Sequence, residues 1–410
     1  MVDSIEKRMR HITSAILLCA AVAMCLRAQT LTILANFNGK DGGRPANALV
    51  QATDGNFYGT TNAAGANRSG TIFRMSPSGE ITTLYNFCPQ AGCADGRGVS
   101  SPLVQGADGN LYGTTSVGGY HNSAICGTGC GTIFKITLSG VETTFYTFCT
   151  VGPPCDGLFP VGLVQAADGE LYGTTSFGGA TSDCESGCGT VYKITPGGKL
   201  TTLHTFTEAE GNHPNSAPIQ AANGDFYGTT TQGGTGTFSS GSVYRMTPSG
   251  DVTSLYTFCH QDNCADGEAP YGSLVQATDG DFYGITGWGG AYGVGTVFRI
   301  TPSGSLTTLY SFCAGGYPCA DGSVPYAGLV QAANGDFYGT TQFGGASNSG
   351  TIFKISPSGV LTTVYSFCSL ANCADGNDPL GGLIQAANGE LYGNAWAGGT
   401  INAGTVYSLR

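Results

Sequence analysis

Residues 272–312 have the sequence GSLVQATDGDFYGITGWGGAYGVGTVFRITPSGSLTTLYSF, and this pattern recurs along almost the whole chain. Its Tyr-Gly core returns at intervals of 54 to 60 residues, and five of the six intervals lie within one residue of 55. A period of this size is typical of repeat proteins, in which one unit buries its core only by stacking on its neighbours. The core tyrosines are Tyr58, Tyr112, Tyr172, Tyr227, Tyr283, Tyr338 and Tyr392.

Each repeat is predicted to form four antiparallel strands, named a to d in chain order. Asp279-Gly280 separates two short β-favouring runs, residues 274–277 and 282–286. Asp-Gly in this position is a strong hairpin signal, because glycine adopts the positive φ that tight turns require. Pro302-Ser303-Gly304 is a second tight turn, between strands c and d.

The strands carry apolar residues on both faces, as Phe282 beside Tyr283 illustrates. Sheets buried on both faces stack around an axis in a β-propeller. The chain ends on a strand c at residues 404–410 and begins with an unpaired strand d at residues 31–37. The sequence therefore predicts an all-β fold, a seven-bladed β-propeller of four-stranded antiparallel blades closed by the N-terminal strand. An open stack of hairpins is the alternative.

Residues 1–28 are predicted to be a signal peptide, so that residues 29–410 form the mature propeller. Basic residues precede an apolar stretch at residues 15–26, and Arg27-Ala28 is a plausible cleavage site. Cys25 is an alternative lipidation site, although Met24 precedes it where a small residue is expected. No later stretch is apolar enough to predict a transmembrane segment in the mature chain.

The charge of the mature chain argues against a nucleic-acid partner. Removing residues 1–28 takes away four of 16 basic and two of 27 acidic residues, which leaves 12 against 25, a net charge of −13. Nucleic acids are bound through lysine and arginine contacts to phosphates. From the predicted signal peptide, we expect a secreted, periplasmic or surface protein of a bacterium.

The cysteines of the mature chain fall in seven close pairs, which in an exported protein predict disulfides. Each would close a small loop and contribute about 2 kcal/mol. Zinc is the alternative, but the pairs are too dispersed to supply four ligands to one ion. The predicted pairs are Cys88 with Cys93, Cys126 with Cys130, Cys149 with Cys155, Cys184 with Cys188, Cys259 with Cys264, Cys313 with Cys319, and Cys368 with Cys373.

The repeated motif [GS]-L-[VI]-Q-A-x-[DN]-G-[DNE]-[FL]-Y-G-T-T, followed by G-T-[VI]-[FY]-[RK]-I-[TS]-P-S-G, resembles the GloVer tandem repeat of exported bacterial proteins. The resemblance covers roughly residues 31–410. It implies an exported propeller-like protein and brings no catalytic residues. Members are commonly called choice-of-anchor proteins after their C-terminal anchors, whereas this sequence ends on Arg410 without a sorting tail.

Any binding site is expected on the rim that carries the b–c loops and the links between blades, because variable loops on a rigid scaffold carry function. Large amphipathic rings in these loops suit stacking on sugars or anchoring a protein partner. Packing at the blade junctions is the alternative role. The candidate ligand-binding residues are Tyr120, Phe177, Trp288, Phe343 and Trp396.

Two further repeated positions have structural interpretations. A glutamine of strand a is expected to hydrogen-bond neighbouring blades, and the same is expected of the core tyrosine. An aspartate followed by glycine after strand d is predicted to form a turn, with Ca²⁺ binding as the less favoured alternative. The glutamines are Gln51, Gln105, Gln165, Gln220, Gln276, Gln331 and Gln385, and the aspartates are Asp41, Asp95, Asp156, Asp266, Asp321 and Asp375.

No catalytic motif and no metal or cofactor site is found in the sequence. The loop histidines His121, His213 and His260 share no repeat position and are predicted to be solvated. The favoured function is a non-catalytic binding module for carbohydrate or a surface protein. The alternatives are an extracellular polysaccharide hydrolase or lyase with its site in the channel mouth, and a structural surface protein.

Overall fold

The computed structural model describes residues 29–99, 101–120, 126–150, 154–180, 183–235 and 240–410. The predicted signal peptide, residues 1–28 with Cys25, and His121 lie outside the described residues. The described strands form seven antiparallel sheets of four or five strands, in which strands a to d follow one another from one edge to the other. The protein is a seven-bladed β-propeller, as the repeat predicts.

Strand a is the short first strand of each blade, and strand b pairs with it across the Asp-Gly or Asn-Gly turn. Strand a comprises Val50–Gln51, Val104–Gln105, Leu158–Gln165, Ile219–Gln220, Val275–Gln276, Val330–Gln331 and Ile384–Gln385 in blades 1 to 7. Strand b comprises Phe57–Thr61, Leu111–Val117, Leu171–Phe177, Phe226–Gln232, Phe282–Thr286, Phe337–Phe343 and Leu391–Ala395.

Strands c and d form the outer half of each blade. Strand c comprises Thr71–Met75, Thr132–Ile136, Thr190–Ile194, Ser242–Met246, Thr296–Ile300, Thr351–Ile355 and Thr405–Leu409. Strand d comprises Ile81–Asn86, Glu142–Thr147, Leu200–Thr205, Val252–Thr257, Leu306–Ser311, Leu361–Ser366 and, for blade 7, Leu31–Asn36. Short strands in three links and two 3₁₀ turns complete the described elements, namely Arg97–Val99, Asn212–Pro214, Ser323–Pro325, Asp262–Cys264 and Ala371–Cys373.

The N-terminal strand closes the ring as predicted. Leu31–Asn36 pairs antiparallel with Thr405–Leu409, so that Leu31 lies opposite Leu409 and Ile33 opposite Tyr407. The backbone N–H of Thr30 donates to the carbonyl of Arg410 at 3.1 Å. This pairing gives blade 7 its fourth strand and removes an edge that would otherwise be open to association.

The core consists of blade-to-blade layers of aromatic and aliphatic side chains. The first five residues of every strand b are buried, which explains why both faces of these strands are apolar. The Tyr283 ring stacks on Phe337 of the next blade with centroids 4.1 Å apart. Its hydroxyl donates to Asp279 in its own turn at 2.8 Å. The expectation of a hydrogen bond between blades is therefore wrong for this tyrosine, which joins the blades by stacking.

The glutamines of strand a do link the blades. The side-chain oxygen of Gln276 accepts from the N–H of Ala222 in the preceding blade at 2.8 Å. Its amide donates to the carbonyl of Gly280 at 3.2 Å. All seven glutamines accept a backbone N–H in this way, and the bond from Ala387 to Gln51 completes the ring across the closure. The predicted role is confirmed.

All seven cysteine pairs form the predicted disulfides, and the zinc alternative is wrong. Because the two sulfurs of each pair are bonded to each other, they are not free to act as thiolate ligands of zinc. Cys184 and Cys188, with Glu208, form the one candidate metal cluster among the described residues, and both cysteines belong to a disulfide. The bonds join Cys88 to Cys93, Cys126 to Cys130, Cys149 to Cys155, Cys184 to Cys188, Cys259 to Cys264, Cys313 to Cys319, and Cys368 to Cys373.

The aspartates after strand d act in turns. Asp266 accepts from the Tyr256 hydroxyl at 2.7 Å and from the N–H of His260 at 3.0 Å. The link that follows blade 3 uses a substitute pair, because Glu210 bonds His204 at 3.2 Å where five other links use aspartate and tyrosine. The turn interpretation is confirmed, whereas the absence of a bound cofactor stays a prediction.

Candidate functional site

The two rims of the propeller differ in the length of their connections. One rim, here called the turn rim, carries the tight a–b and c–d turns. The other, here called the loop rim, carries the b–c loops and the links from strand d to the next strand a. The N–H of Gly43 in a link donates to the carbonyl of Ala63 in a b–c loop at 2.9 Å, which shows that these connections meet.

A cleft of about 500 Å³, here called the rim cleft, opens on the loop rim across blades 3 to 6. Its walls come from the ends of strands b, from one b–c loop and from the links that follow strands d. Its lining residues are Ser176, Phe177, His213, Asn215, Thr231, Gln232, Glu268, Ala269, Tyr271, Trp288 and Tyr326.

Phe177 and His213 form the wall at the blade 3 end of the rim cleft. Their ring centroids lie 4.3 Å apart, and Phe159 packs edge-on against Phe177 at 5.7 Å. The Nδ1 atom of His213 lies 2.9 Å from the side-chain oxygen of Gln232. Burial lowers the pKa of His213, while Gln232 and Glu208 oppose this shift. The prediction of a solvated side chain is wrong for His213, which is half-buried, and holds for His260, which is exposed.

Trp288 forms the opposite end of the rim cleft and is 44 % exposed. Its backbone is held by two hydrogen bonds to Glu268, of 2.9 and 3.0 Å. Gly289 follows with a φ of 71°, which lets the b–c loop turn away immediately after the tryptophan. A large amphipathic ring is thus presented on a fixed backbone, at little entropic cost to a ligand that stacks on it.

Tyr271 and Tyr326 occupy the inner side of the rim cleft. Their rings stack with centroids 4.8 Å apart and an interplanar angle of 22°. Tyr326 hydrogen-bonds to Asn215, and burial raises its pKa. The phenol is therefore protonated at neutral pH and able to donate or accept a hydrogen bond.

The links place one residue of every blade in the left-handed backbone region at the edge of the loop rim. Its N–H donates across the blade junction where that bond is described; in blade 4, His213 donates to the carbonyl of Cys188 at 3.0 Å. A side chain in this conformation costs about 1 to 2 kcal/mol, and such strain clusters at functional sites. Only blade 2 has glycine there. The seven residues are Arg44, Gly98, Phe159, His213, Ala269, Val324 and Asp378, with φ between 51° and 64°.

The rim cleft carries little positive charge. Glu268 is the only carboxylate and His213 the only basic group among its described lining residues. Because burial lowers the pKa of His213, that imidazole favours its neutral form. The cleft therefore combines aromatic surface with neutral donors and acceptors and one anionic group.

The structure brings two of the five candidate residues, Phe177 and Trp288, into this cleft. Tyr120 and Phe343 are exposed at 39 % and 36 % but do not line it. Trp396 lies under the guanidinium of Arg44, which is 4.6 Å from the ring centroid. Their proposed role in ligand binding stays a prediction.

Six lining residues of the links were not identified as candidates from the sequence: His213, Asn215, Glu268, Ala269, Tyr271 and Tyr326. All lie in the links, between the acidic turn and strand a. The one feature of the sequence that could have indicated them is that these links vary between blades, whereas the rest of the repeat is regular. Unlike the aspartate of the preceding turn, these residues differ from blade to blade and so carry no repeated motif.

The fold and the rim cleft define a β-propeller with a ligand-sized depression on its loop rim. The model of the Gloeobacter/Verrucomicrobia repeat matches residues 22–181, 125–320 and 235–410, and the chain belongs to this family of repeat proteins. No curated protein matches the sequence.

Solved structures share the fold at low identity. The extracellular domain of the one-component system BT4673 from B. thetaiotaomicron is 12 % identical with a TM-score of 0.58, covering 92 % of this chain and 40 % of that chain. The extracellular domain of the hybrid two-component system BT3049 from the same organism is 14 % identical with a TM-score of 0.56, covering 92 % and 41 %. This chain thus spans about two fifths of the length of these structures. Within the described residues, no helix has the length and apolar character to cross a membrane.

Proposed function

We propose that this chain is an exported, non-catalytic β-propeller that binds carbohydrate through the rim cleft. The observation that carries the proposal is the convergence of Phe177 and Trp288 with Asn215, Gln232 and Tyr326 in one depression. Sugar rings present apolar faces edged by hydroxyl groups. Aromatic rings combined with amide and phenol groups offer matching stacking surfaces and hydrogen bonds.

The charge of the site favours neutral or amine-bearing sugars over acidic ones. Glu268 lines the rim cleft, and the mature chain has 12 basic against 25 acidic residues after removal of four and two from the totals of 16 and 27. Polysaccharides rich in carboxylates or sulfates would be repelled, both by the local carboxylate and by the field of the whole molecule.

Seven disulfides support placement in an oxidising compartment. This agrees with a signal peptide at residues 1–28, which remains a proposal. A secreted, periplasmic or surface location would give the loop rim access to extracellular polymers. A protein ligand at the cell surface is the competing partner for the same rim.

A hydrolase would need a second carboxylate facing Glu268, because glycoside hydrolysis uses a pair of acidic groups. No second carboxylate lines the rim cleft within the described residues. This arrangement supports binding without hydrolysis. A purely structural role would leave the exposed ring of Trp288 without a function.

The test is a glycan-array screen of the protein with intact disulfides, followed by titration calorimetry on the hits. We expect Trp288→Ala to weaken binding at least tenfold, because a stacking anchor is lost. Tyr317→Ala is the control, because this ring is 87 % exposed and does not line the cleft, so its removal should leave the affinity unchanged.

Each hit should also be incubated with the protein and analysed for released sugar. Binding without release supports the proposal, and release would replace it with the enzyme alternative. Equal affinity of the wild type and Trp288→Ala for every hit would rule out the rim cleft as the binding site.

A further inference from the structure

A second cavity of about 330 Å³ lies in the central channel and is lined by residues of all seven blades. Its walls are made largely of small residues, among them Ala48, Ala217, Gly272 and Gly328. Gly272 has no room for a side chain, because a Cβ atom there would lie 2.4 Å from the backbone nitrogen of Gly328. At this point the backbones of neighbouring blades are in contact, and the cavity wall is formed by main-chain atoms.

This channel cavity adjoins the rim cleft. Asn215, Tyr271 and Tyr326 line both of them, so these three side chains stand at the boundary between the two spaces. They come from successive links, those of blades 4, 5 and 6, and each lies five residues after the acidic residue of its turn. A ligand lying in the rim cleft would thus reach the channel cavity by passing this boundary.

The channel cavity offers unsatisfied polar groups. Gly272, Gly328 and Gly382 line it, and their backbone N–H groups donate to no other group among the described residues. Unpaired backbone donors in a partly enclosed space require water or a polar ligand. Sugar hydroxyl groups accept such hydrogen bonds.

The channel cavity also has apolar lining residues. Leu274, Leu329 and Leu383 line it just before strand a and are only 4 %, 8 % and 5 % exposed. A volume of about 330 Å³ lies at the lower limit of ligand pockets, so it admits a small unit rather than a long segment.

We propose that the site recognises the end of a linear sugar chain, with the terminal unit in the channel cavity and the following units along the rim cleft. This inference rests on the proposed carbohydrate function and adds the direction of binding to it. A chain bound only along the rim would not use the channel donors. A chain end bound as proposed uses both spaces.

The mouth of the channel cavity can be filled by a substitution that introduces a side chain already present at the equivalent position of other blades. Ala46 and Leu380 are the blade 1 and blade 7 equivalents of Tyr271 and Tyr326, and all four line the channel cavity. Because this position holds tyrosine in two blades, Ala46→Tyr should be accepted by the fold. Leu380→Tyr is the second variant, and thermal melting with far-UV circular dichroism reports folding for both.

The probes are cellohexaose, xylohexaose and mannohexaose, each compared with its parent polymer at equal sugar concentration. Calorimetry should give at least tenfold tighter binding, per sugar unit, of a hexasaccharide than of its polymer, which has few ends. Ala46→Tyr and Leu380→Tyr should each weaken hexasaccharide binding at least tenfold.

Unchanged hexasaccharide affinity in folded Ala46→Tyr and Leu380→Tyr would overturn chain-end recognition. If Trp288→Ala still weakened binding, the proposed carbohydrate function would stand. Failure of the wild type to bind any hexasaccharide, polymer or glycan of the array would overturn the proposed function and the chain-end inference with it.

Discussion

Glu142 is a carboxylate at a position where every other blade has an aliphatic residue. It begins strand d of blade 2 and lies against Tyr85 and Asp95 at the junction with blade 1. Burial raises its pKa from the ordinary 4.5 to about 7; the Asp95 charge adds to the shift and a hydrogen bond from Tyr85 opposes it. The equivalent residues are Leu31, Ile81, Leu200, Val252, Leu306 and Leu361.

This shift predicts a pH-dependent loss of stability. The unfolded chain releases the proton of Glu142 near pH 4.5 and the folded chain only near pH 7. The free energy of unfolding therefore decreases as the pH rises from about 4.5 to about 7. Above pH 7, Glu142 is ionised in both states and causes no further change with pH. A shift of this size corresponds to about 3 kcal/mol, which solvent screening of a partly exposed group reduces to about 2 kcal/mol.

Replacing Glu142 by leucine should remove this dependence. We expect the free energy of unfolding of Glu142→Leu, relative to the wild type, to rise by about 2 kcal/mol between pH 4.5 and pH 8. Guanidinium denaturation at several pH values, with the disulfides intact, measures this difference. Glu80→Leu is the matched control, because Glu80 is an exposed carboxylate in the corresponding hairpin of blade 1. Parallel pH profiles of Glu142→Leu and the wild type would refute the reasoning.

Two further stability predictions follow from single contacts. Gln331 accepts from the N–H of Thr278 at 3.1 Å and donates to Gly335 at 3.2 Å, so Gln331→Leu should lower the free energy of unfolding by about 1 kcal/mol. Gln331→Glu keeps the acceptor for Thr278 but sets a carboxylate oxygen against the Gly335 carbonyl, so it should lose at least as much; a clearly smaller loss in urea denaturation would contradict this. Burial lowers the pKa of His213 from 6.5, so the wild type should lose stability as the pH falls below that value. His213→Asn should lack this loss in thermal melts at pH 7.5 and 5, and an equal loss in both proteins would contradict the assignment.

Part of the candidate site was predictable, because it lies in loops that depart from the repeat. Trp288 and Phe177 were identifiable as large aromatic residues at one variable position of the b–c loops. Their convergence with His213 and Tyr326 was not, because the links bring residues of four blades to one place on the rim. The burial of His213 depends on the neighbouring blade, which supplies Phe177.

The number of blades, the four-stranded unit, the closure by Leu31–Asn36 and the seven disulfides were all predictable from the amino-acid sequence alone. These features depend on local turn chemistry, on strand patterning and on cysteines only a few residues apart, all of which a repeat displays many times. The folded chain was needed to show which loop residues meet in the rim cleft, and that Tyr271 and Tyr326 lie between this cleft and the channel cavity. These contacts join residues distant in sequence, and their separation is set by the arrangement of the blades around the ring.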